Sequence, residues 1–271
     1  MADAMLRYGT TPRNCGERVK ASSERILVLG KARDLLDCFS IAEPVLGFGE
    51  LRRRAHLPPS TCARLVSSLT ELGLLERQGA VYRPGPRLVR WAEARLAVAP
   101  SLQQVAQSWL EELRDRTDET ARLYVRDGLV RVCVAAAETR QPVGRAVRVG
   151  EVLPLYAGAA GKVFLAFDPQ VDHGSAISQA GRLTPATIVD QGAWDRELAR
   201  IRSAGYAASF GEREAETAAV AAPVRGASGN VVAALGIGAP RYRLGRRTAA
   251  RLAPHVVDVA RALSRQLGAE L

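Results

Sequence analysis

The first ninety residues alternate apolar and polar positions in a way that predicts three helices and a hairpin. Between Ile26 and Phe39 the apolar residues recur every three or four positions, the period of an amphipathic helix. Glu43-Pro44 and the glycines that follow end that helix. A short helix is expected at residues 50–55, and PSTCARLVSSLTELG forms the next, with its apolar residues on one stripe. The sequence LLERQGAVYRPGP then predicts two short strands around a Gln-Gly turn.

The rest of the chain mixes alternating and helical patterns. The sequence TARLYVRDGLVRVCVAAAE alternates on either side of Asp127-Gly128, which is a strong hairpin signal. Further strands are expected at 145–149, 218–224 and 231–237, and helices at 102–113, 162–167, 193–204 and 246–267. Hairpins that alternate with helices favour an α+β fold, a mostly antiparallel sheet covered by helices.

Changes in these patterns divide the chain into four segments. Residues 1–23 are polar and lack periodicity, so they are expected to form a flexible arm. Residues 24–86 hold the first helices and the hairpin, the arrangement of a winged helix-turn-helix. Residues 87–99 are expected to form a linker helix that ends before Pro100, and residues 100–271 form a second, α/β domain.

Cysteine and histidine usage argues against several classes of enzyme. The four cysteines are scattered without a CxxC pair, and none of the three histidines lies near another histidine or a cysteine at metal-ligand spacing. No GxSxG sequence occurs, and Glu212, Glu214 and Glu216 are interpreted as a solvated turn. Hydrolytic and metal-dependent enzymes are therefore poor candidates, and neither a metal nor a cofactor is expected.

Charge changes the picture more than overall composition does. No apolar run approaches 18 residues and the N-terminus lacks the hydrophobic region of a secretory signal, so a cytoplasmic protein without a membrane span is expected. The net charge is +10, and residues 51–95 alone hold nine arginines and three glutamates. A local excess of positive charge in a cytoplasmic protein indicates nucleic acid as the partner.

The helix that begins at Pro59 is the part of this basic segment best suited to enter a DNA groove. The face opposite its apolar stripe carries small, hydroxylated or cationic side chains, which can approach phosphates and base edges closely. We predict that Ser60, Thr61 and Arg64 lie in the major groove, with Ser67 on the same face. Arg52, Arg53 and Arg54 are expected on the exposed side of the short helix at 50–55, and together with Arg83 they are expected to contact phosphate.

The same segment resembles a known family. The sequence LPPSTCARLVSSLTELGLLER, followed by YRPGPRLVRWA, is similar to the N-terminal domain of the isocitrate-lyase-regulator (IclR) family of bacterial transcription factors. That family typically has a Leu-Pro-x-Ser-Thr turn into its recognition helix and a Tyr-Arg-x-Gly-Pro exit from its wing. Pro59 and Ala63, which we include among the DNA-binding residues, stand where the family often has a basic and a longer polar residue. The resemblance implies binding to double-stranded DNA.

The sequence YAGAAGKVFLA, residues 156–166, has the outline of a phosphate-binding loop but lacks its first glycine and the Ser or Thr after the lysine. Together with AAPVRGASGNVVAALGIGAP it resembles the effector domain of the IclR family, so the resemblance covers about residues 22–268. It implies a GAF-like domain that binds a small-molecule effector between the small-residue loop and the late hairpin. The effector-binding residues that it implies are Tyr156, Ala159, Ala160, Gly161, Ser209, Ala219, Gly236 and Gly238.

The residues at these positions suggest a kind of effector. Family members that bind small oxoacids have polar side chains where this chain has Ala219, Gly236 and Gly238. Loss of those groups would enlarge and dry the pocket, so a larger and more apolar effector is expected, with its polar end on loop N–H groups. The alternative is that no small ligand binds and that the two glycines only allow close backbone packing.

The function expected from the sequence is that of a regulator that binds a symmetric operator as a homodimer or homotetramer. Helix 26–39 and the linker helix are the expected dimer surfaces. Two alternatives are an enzyme whose basic half only docks on nucleic acid, and a protein-interaction module that uses the winged helix as a scaffold. The lack of a catalytic set weighs against the first. Exposed Ser60, Thr61 and Arg64 weigh against the second, because a protein-binding face needs more apolar anchors.

Overall fold

The computed structural model describes residues 27–40, 43–96, 101–142 and 148–270. Within it the chain divides after residue 99 into two units. The expected flexible arm at 1–23 lies outside the described residues, and so do residues 97–99 at the end of the expected linker helix.

The first unit is a winged helix-turn-helix. Its elements are α1 (Leu27–Leu36), β1 (Leu46–Gly47), α2 (Phe48–Arg54), α3 (Pro59–Glu71), β2 (Leu75–Gln78), β3 (Val81–Pro84) and α4 (Pro86–Leu96). The three strands form an antiparallel sheet in the order β1-β3-β2. The apolar stripe of α3, which includes Cys62 and Val66, shares one core with Leu35 of α1 and Leu51 of α2. Burial of that stripe leaves the opposite face of α3 toward solvent.

The wing is fixed to the end of α3 by close backbone contacts. The Gly85 N–H donates to the Leu74 carbonyl at 2.9 Å, and the Arg87 N–H donates to the Gly73 carbonyl at 3.1 Å. A β-carbon at Gly85 would lie 2.3 Å from the Gly73 carbonyl oxygen, so only glycine fits there. The position of the β2–β3 hairpin beside α3 therefore follows from the Gly-Pro exit of the wing.

The second unit is a six-stranded antiparallel sheet with helices on both faces. Its elements are α5 (Leu102–Thr117), β4 (Thr120–Asp127), β5 (Val130–Ala137), β6 (Val152–Pro154), α6 (Ala159–Phe167), α7 (His173–Ser178), α8 (Gln191–Ala204), β7 (Ala207–Phe210), β8 (Thr217–Arg225), β9 (Val231–Pro240) and α9 (Arg246–Gln266). The strand order is β6-β5-β4-β9-β8-β7. Leu110 of α5 and Val256 of α9 pack on one face, and Phe164 of α6 and Trp194 of α8 pack on the other.

One predicted strand does not extend to its expected end. Of the strand expected at 145–149, residues 145–147 lie outside the described residues and Val149 belongs to a turn. Gly150 continues that turn with a φ of +87°, and its N–H donates to the Cys133 carbonyl at 2.6 Å. Within the described residues, the strand that follows this turn and pairs with β5 is Val152–Pro154.

Candidate DNA interface and effector cavity

The N-terminal turn and polar face of α3 are open to solvent. Pro58 precedes the helix, Pro59 occupies its first turn, and no acidic residue lies in that turn. The exposed residues of the predicted DNA face are Pro59, Ser60, Ala63, Arg64 and Ser67, whereas Thr61 is half-buried. The first N–H groups of a helix have no partner inside the helix, so a helix start without acidic side chains suits a phosphate.

The three consecutive arginines of α2 differ in their surroundings. Arg52 is exposed, whereas Arg53 and Arg54 both form ion pairs with Glu50. Arg54 also pairs with Glu43 at 2.8 Å, and its side chain is only 25% exposed. The expectation that all three lie on the exposed side is therefore wrong for Arg54, because two carboxylates draw its guanidinium back onto the domain.

Two arginines lie on the wing. Arg83, on β3, is exposed and forms a two-pronged pair with Glu76, at 2.9 Å from Nη2 to Oε1 and 3.1 Å from Nε to Oε2. These hydrogen bonds lower the pKa of Glu76, so a phosphate would compete with an ionised carboxylate for Arg83. Arg77, which the sequence analysis did not select, is exposed on β2 and lies 6.0 Å from the centre of the Tyr82 ring.

The second unit contains a cavity of about 60 Å³ between the sheet and the start of α6. Six of the eight residues implied for effector binding line it, namely Ala159, Ala160, Ser209, Ala219, Gly236 and Gly238. Tyr156 and Gly161 lie outside the lining. Ala159, Ala160 and Gly161 were expected in a loop but form the first turn of α6.

Three arginines that the sequence analysis missed also line this cavity. Arg122 of β4 and Arg131 of β5 are each 3% exposed, and Arg213 precedes β8 with a side chain 17% exposed. Burial alternates along the first half of β5, so that Arg131 lies on the same buried face as Cys133. The sequence held one signal for such an arginine. It is a charged residue at a position that the alternation of buried and exposed residues assigns to the core.

The glycines around the cavity make room for these side chains. A β-carbon at Gly161 would lie 2.7 Å from Arg131 Nη1, and one at Gly158 would lie 2.8 Å from Nη2 of the same residue. A β-carbon at Gly238 would lie 2.9 Å from Arg122 Nη1. The expectation of an enlarged, dry pocket is therefore wrong for this cavity, because guanidinium groups fill the space that larger residues would have taken.

Gly236 has a different role from Gly238. A β-carbon at Gly236 would lie 2.2 Å from the Val220 carbonyl oxygen and 2.8 Å from the Ala221 α-carbon. This glycine allows close packing of β9 against β8, as the alternative interpretation of the sequence proposed for both glycines.

The buried arginines have different partners. Arg131 Nη1 donates to the Pro154 carbonyl, and its guanidinium carbon lies 5.6 Å from the centre of the Tyr124 ring. Burial lowers the pKa of Arg131 to about 10, so the side chain stays protonated at neutral pH. Arg213 lies 3.0 Å from Glu214 and 3.5 Å from Glu151.

The glycine-lysine pair at the start of α6 belongs to a buried ion cluster. Lys162 is 1% exposed, and its Nζ lies 2.6 Å from Glu212 Oε1 and 2.8 Å from Glu197 Oε1. Glu212 also accepts a hydrogen bond from the Gly158 N–H at 3.3 Å. The expectation of a solvated turn is therefore wrong for Glu212, which is 7% exposed because it neutralises this lysine.

The described residues contain neither a candidate metal site nor a helix suited to span a membrane. In this part of the chain no three His, Cys, Asp or Glu side chains are grouped so that they could hold a metal ion. None of the helices in the same ranges has both the length and the apolar character needed to cross a membrane.

Both units match domains of one protein family. The family described as the bacterial transcriptional regulator IclR C-terminal domain matches residues 96–265, and the IclR helix-turn-helix domain matches residues 28–79. The HTH-type transcriptional regulator KipR of Bacillus subtilis is 30% identical over 88% of this chain and 96% of its own length.

Solved structures with similar folds belong to the same group. An IclR transcriptional regulator from Silicibacter has a TM-score of 0.81 and 29% identity, covering 90% of this chain and 97% of its own. An IclR homologue from Microbacterium hydrocarbonoxydans, in complex with 4-hydroxybenzoate, has a TM-score of 0.72 and 28% identity. The alignment with this homologue covers 88% of this chain and 99% of the homologue.

Proposed function

The chain belongs to the IclR family of bacterial transcriptional regulators, and on that basis we propose that it binds a symmetric DNA operator as a homodimer or homotetramer. One winged helix reads few base pairs, so two copies on related half-sites are needed for a specific operator. Such a regulator works in the cytoplasm, where the bacterial chromosome lies.

The polar face of α3 is the observation that carries this proposal. Ser60, Thr61 and Arg64 are assigned to base edges in the major groove, with Pro59, Ala63 and Ser67 beside them. Arg52, Arg53 and Arg83 are assigned to phosphates. Arg54 is not assigned to phosphate, because it pairs with Glu50 within α2 and with Glu43 of the preceding segment.

A small-molecule effector in the cavity behind α6 is proposed to change operator affinity. The complex of a related regulator with 4-hydroxybenzoate supports a ligand-binding role for a domain of this fold. The cavity in this chain supports it further, because polar groups converge there on a space between the strands and the start of α6.

The DNA assignment is tested by replacing Arg64 with alanine. Fragments of the source genome are first selected for binding, and operator affinity is then measured at fixed salt. Loss of one base contact costs about 1–3 kcal/mol at each half-site, so Arg64→Ala should weaken binding by about fivefold or more for each half-site. Arg251→Ala, which removes an exposed arginine from α9, is the matched control. Unchanged affinity and selectivity in Arg64→Ala would show that α3 is not the recognition helix.

A further inference from the structure

The turn that joins β9 to α9 carries a dense group of arginines. Its sequence, RYRLGRR at residues 241–247, contains four arginines and no acidic residue, and we call it the arginine turn. Arg241, Arg246 and Arg247 are exposed, and within the described ranges none of the three forms an ion pair. The Arg241 N–H donates to the Glu216 carbonyl at 2.8 Å, but no ion pair joins the two side chains in the described structure. The turn therefore presents three positive charges to solvent without a carboxylate bound to them.

The arginines at the start of α9 do not serve the stability of that helix. Arg246 and Arg247 lie in its first turn, which has no acidic residue, and the preceding Gly245 offers no side-chain cap. The first turn of a helix carries a partial positive charge, so cationic side chains there are unfavourable and acidic ones are favourable. The guanidinium carbon of Arg246 lies 4.8 Å from the centre of the Phe210 ring, which holds this charge in place. Their placement indicates a role outside folding.

The arginine turn also holds an aromatic ring out into solvent. Tyr242 is 73% exposed, and its hydroxyl accepts a hydrogen bond from Arg243 Nη1 at 3.1 Å. Arg243 is fixed in turn by two hydrogen bonds to the buried carboxylate of Glu119, at 2.8 and 2.9 Å. A ring that is already held in one orientation loses little freedom when a partner covers it. Tyrosine and arginine are also the residues that contribute most often to the affinity of protein interfaces.

We propose that the arginine turn is a docking surface for an acidic segment of another protein. The ring of Tyr242 contacts apolar side chains of the partner, and Arg241, Arg246 and Arg247 face its carboxylates. Charge complementarity identifies the partner as acidic, because each free guanidinium matches the two oxygens of a carboxylate. The surface goes beyond the proposed function, since it includes none of the residues assigned to DNA or to the effector cavity.

The surroundings of the turn favour an acidic protein over nucleic acid or a second copy of this chain. Proteins that bind single strands stack successive bases on several aromatic side chains, and Tyr242 is the one exposed aromatic residue in the described part of the second unit. A second copy would have to supply the acidic residues. On α5 these already have partners, since Glu112 pairs with Arg116 and Asp115 pairs with Arg114.

The test is the binding of two labelled peptides to the full-length protein, measured by fluorescence anisotropy. One probe is a short polyglutamate peptide, and the other is the same peptide with two leucines at its centre. Physiological salt screens exposed charges more than about 8 Å apart, so it weakens binding that arises from net charge alone. The peptide with leucines should bind more tightly, because it offers the Tyr242 ring an apolar contact. Equal affinity of the two peptides, or binding of neither, would overturn the proposal.

A double charge reversal shows whether the arginines of the turn bind the peptides. Arg246→Glu with Arg247→Glu should weaken both peptides by about tenfold, since two attractive pairs become repulsive. The helix should tolerate the change, because acidic residues favour its first turn. Arg182→Glu with Arg196→Glu is the matched control, because it changes the net charge equally at two exposed arginines before and on α8. Equal weakening in the two double variants would show an effect of net charge alone and overturn the proposal.

Substitutions of Tyr242 show whether the ring contributes. Tyr242→Ala should abolish the preference for the peptide with leucines, whereas Tyr242→Phe should keep most of it because the ring remains. Both variants leave every arginine of the turn in place, so their affinities for polyglutamate should stay within about twofold of the native protein. An unchanged preference in Tyr242→Ala would contradict the assigned contact.

Three further measurements exclude other partners. A single-stranded oligonucleotide and the operator should each bind the two double variants equally, and weaker binding to Arg246→Glu with Arg247→Glu than to its control would assign the turn to nucleic acid. Sedimentation should give the native oligomeric state for that variant, and a smaller assembly would show a contact between copies. Either result would overturn the proposal. Peptide binding does not depend on an operator, so failure to select one would refute the regulatory function and leave the docking surface standing.

Discussion

Replacement of Lys162 by methionine tests whether the glycine-lysine pair is an internal counter-ion rather than a ligand for phosphate. The lysine is 1% exposed and touches Glu212 at 2.6 Å and Glu197 at 2.8 Å. Methionine keeps the length of the side chain but removes the charge, which leaves Glu212 buried without its cation. Removal of one partner of a buried ion pair costs about 3–5 kcal/mol. For a unit of this size that corresponds to a fall in Tm of roughly 6–20 °C.

Thermal and urea unfolding of the full chain measure this loss. Arg200→Met is the control, because Arg200 pairs with the same Glu197 from the solvent side with a side chain 45% exposed, and a pair of that kind contributes about 0–1 kcal/mol. Adding Glu212→Gln to Lys162→Met should recover part of the loss, since the unpaired charge is removed. A loss below about 1 kcal/mol in Lys162→Met, or a double variant as unstable as the sum of the single variants, would refute the ion-cluster interpretation.

Two further predictions concern the same region. Gly161→Ala should destabilise the protein by about 1–3 kcal/mol or more, because the new β-carbon would lie 2.1 Å from the Leu155 carbonyl oxygen. In the control Gly174→Ala no atom lies closer than 3.4 Å to the new β-carbon, so the loss should be less than about 1 kcal/mol. Urea unfolding measures both losses. The pKa of Glu197 is lowered from 4.5 to about 2, since burial opposes ionisation but hydrogen bonds and positive charge from Arg200 and Lys162 outweigh it. Ionised Glu197 therefore stabilises the fold above pH 4.5 and less as pH falls toward 2. Urea unfolding at several pH values measures the stability difference between the native protein and Glu197→Gln. This difference should shrink as the pH falls from 4.5 toward 2, and a constant difference would contradict the lowered pKa.

Local patterns predicted the elements that depend on neighbouring residues. The stripe of α3, the hairpin at Asp127-Gly128 and the long C-terminal helix all follow from periodicity and turn residues within one segment. The strand expected at 145–149 was wrong at Val149, because a short run of alternation cannot be distinguished from the turn that Gly150 continues. The order of the sheet was beyond local patterns, because β4 pairs with β9, more than a hundred residues later in the chain.

The DNA face and the effector cavity differ in how far their chemistry could be predicted. The DNA face lies mainly on one helix, so exposure followed from the opposite apolar stripe, and the error at Arg54 arose from Glu43, which lies outside α2. The positions of the cavity followed from the resemblance to a family, but their chemistry did not. Gly238 looks like a missing polar contact when its segment is considered alone, although Arg122 lies opposite it.

The meaning of a glycine at a ligand site depends on which side chain lies opposite it. Gly238 of β9 faces Arg122 of β4, and Gly158 faces Arg131 of β5, so the side chains that occupy the space come from strands distant in sequence. Loss of a β-carbon at one wall of a cavity therefore does not make the cavity apolar when a longer cationic side chain enters from the other wall. Because charge and volume in this cavity are set jointly by the two walls, a change in effector class can arise without any change in the small residues that mark the site.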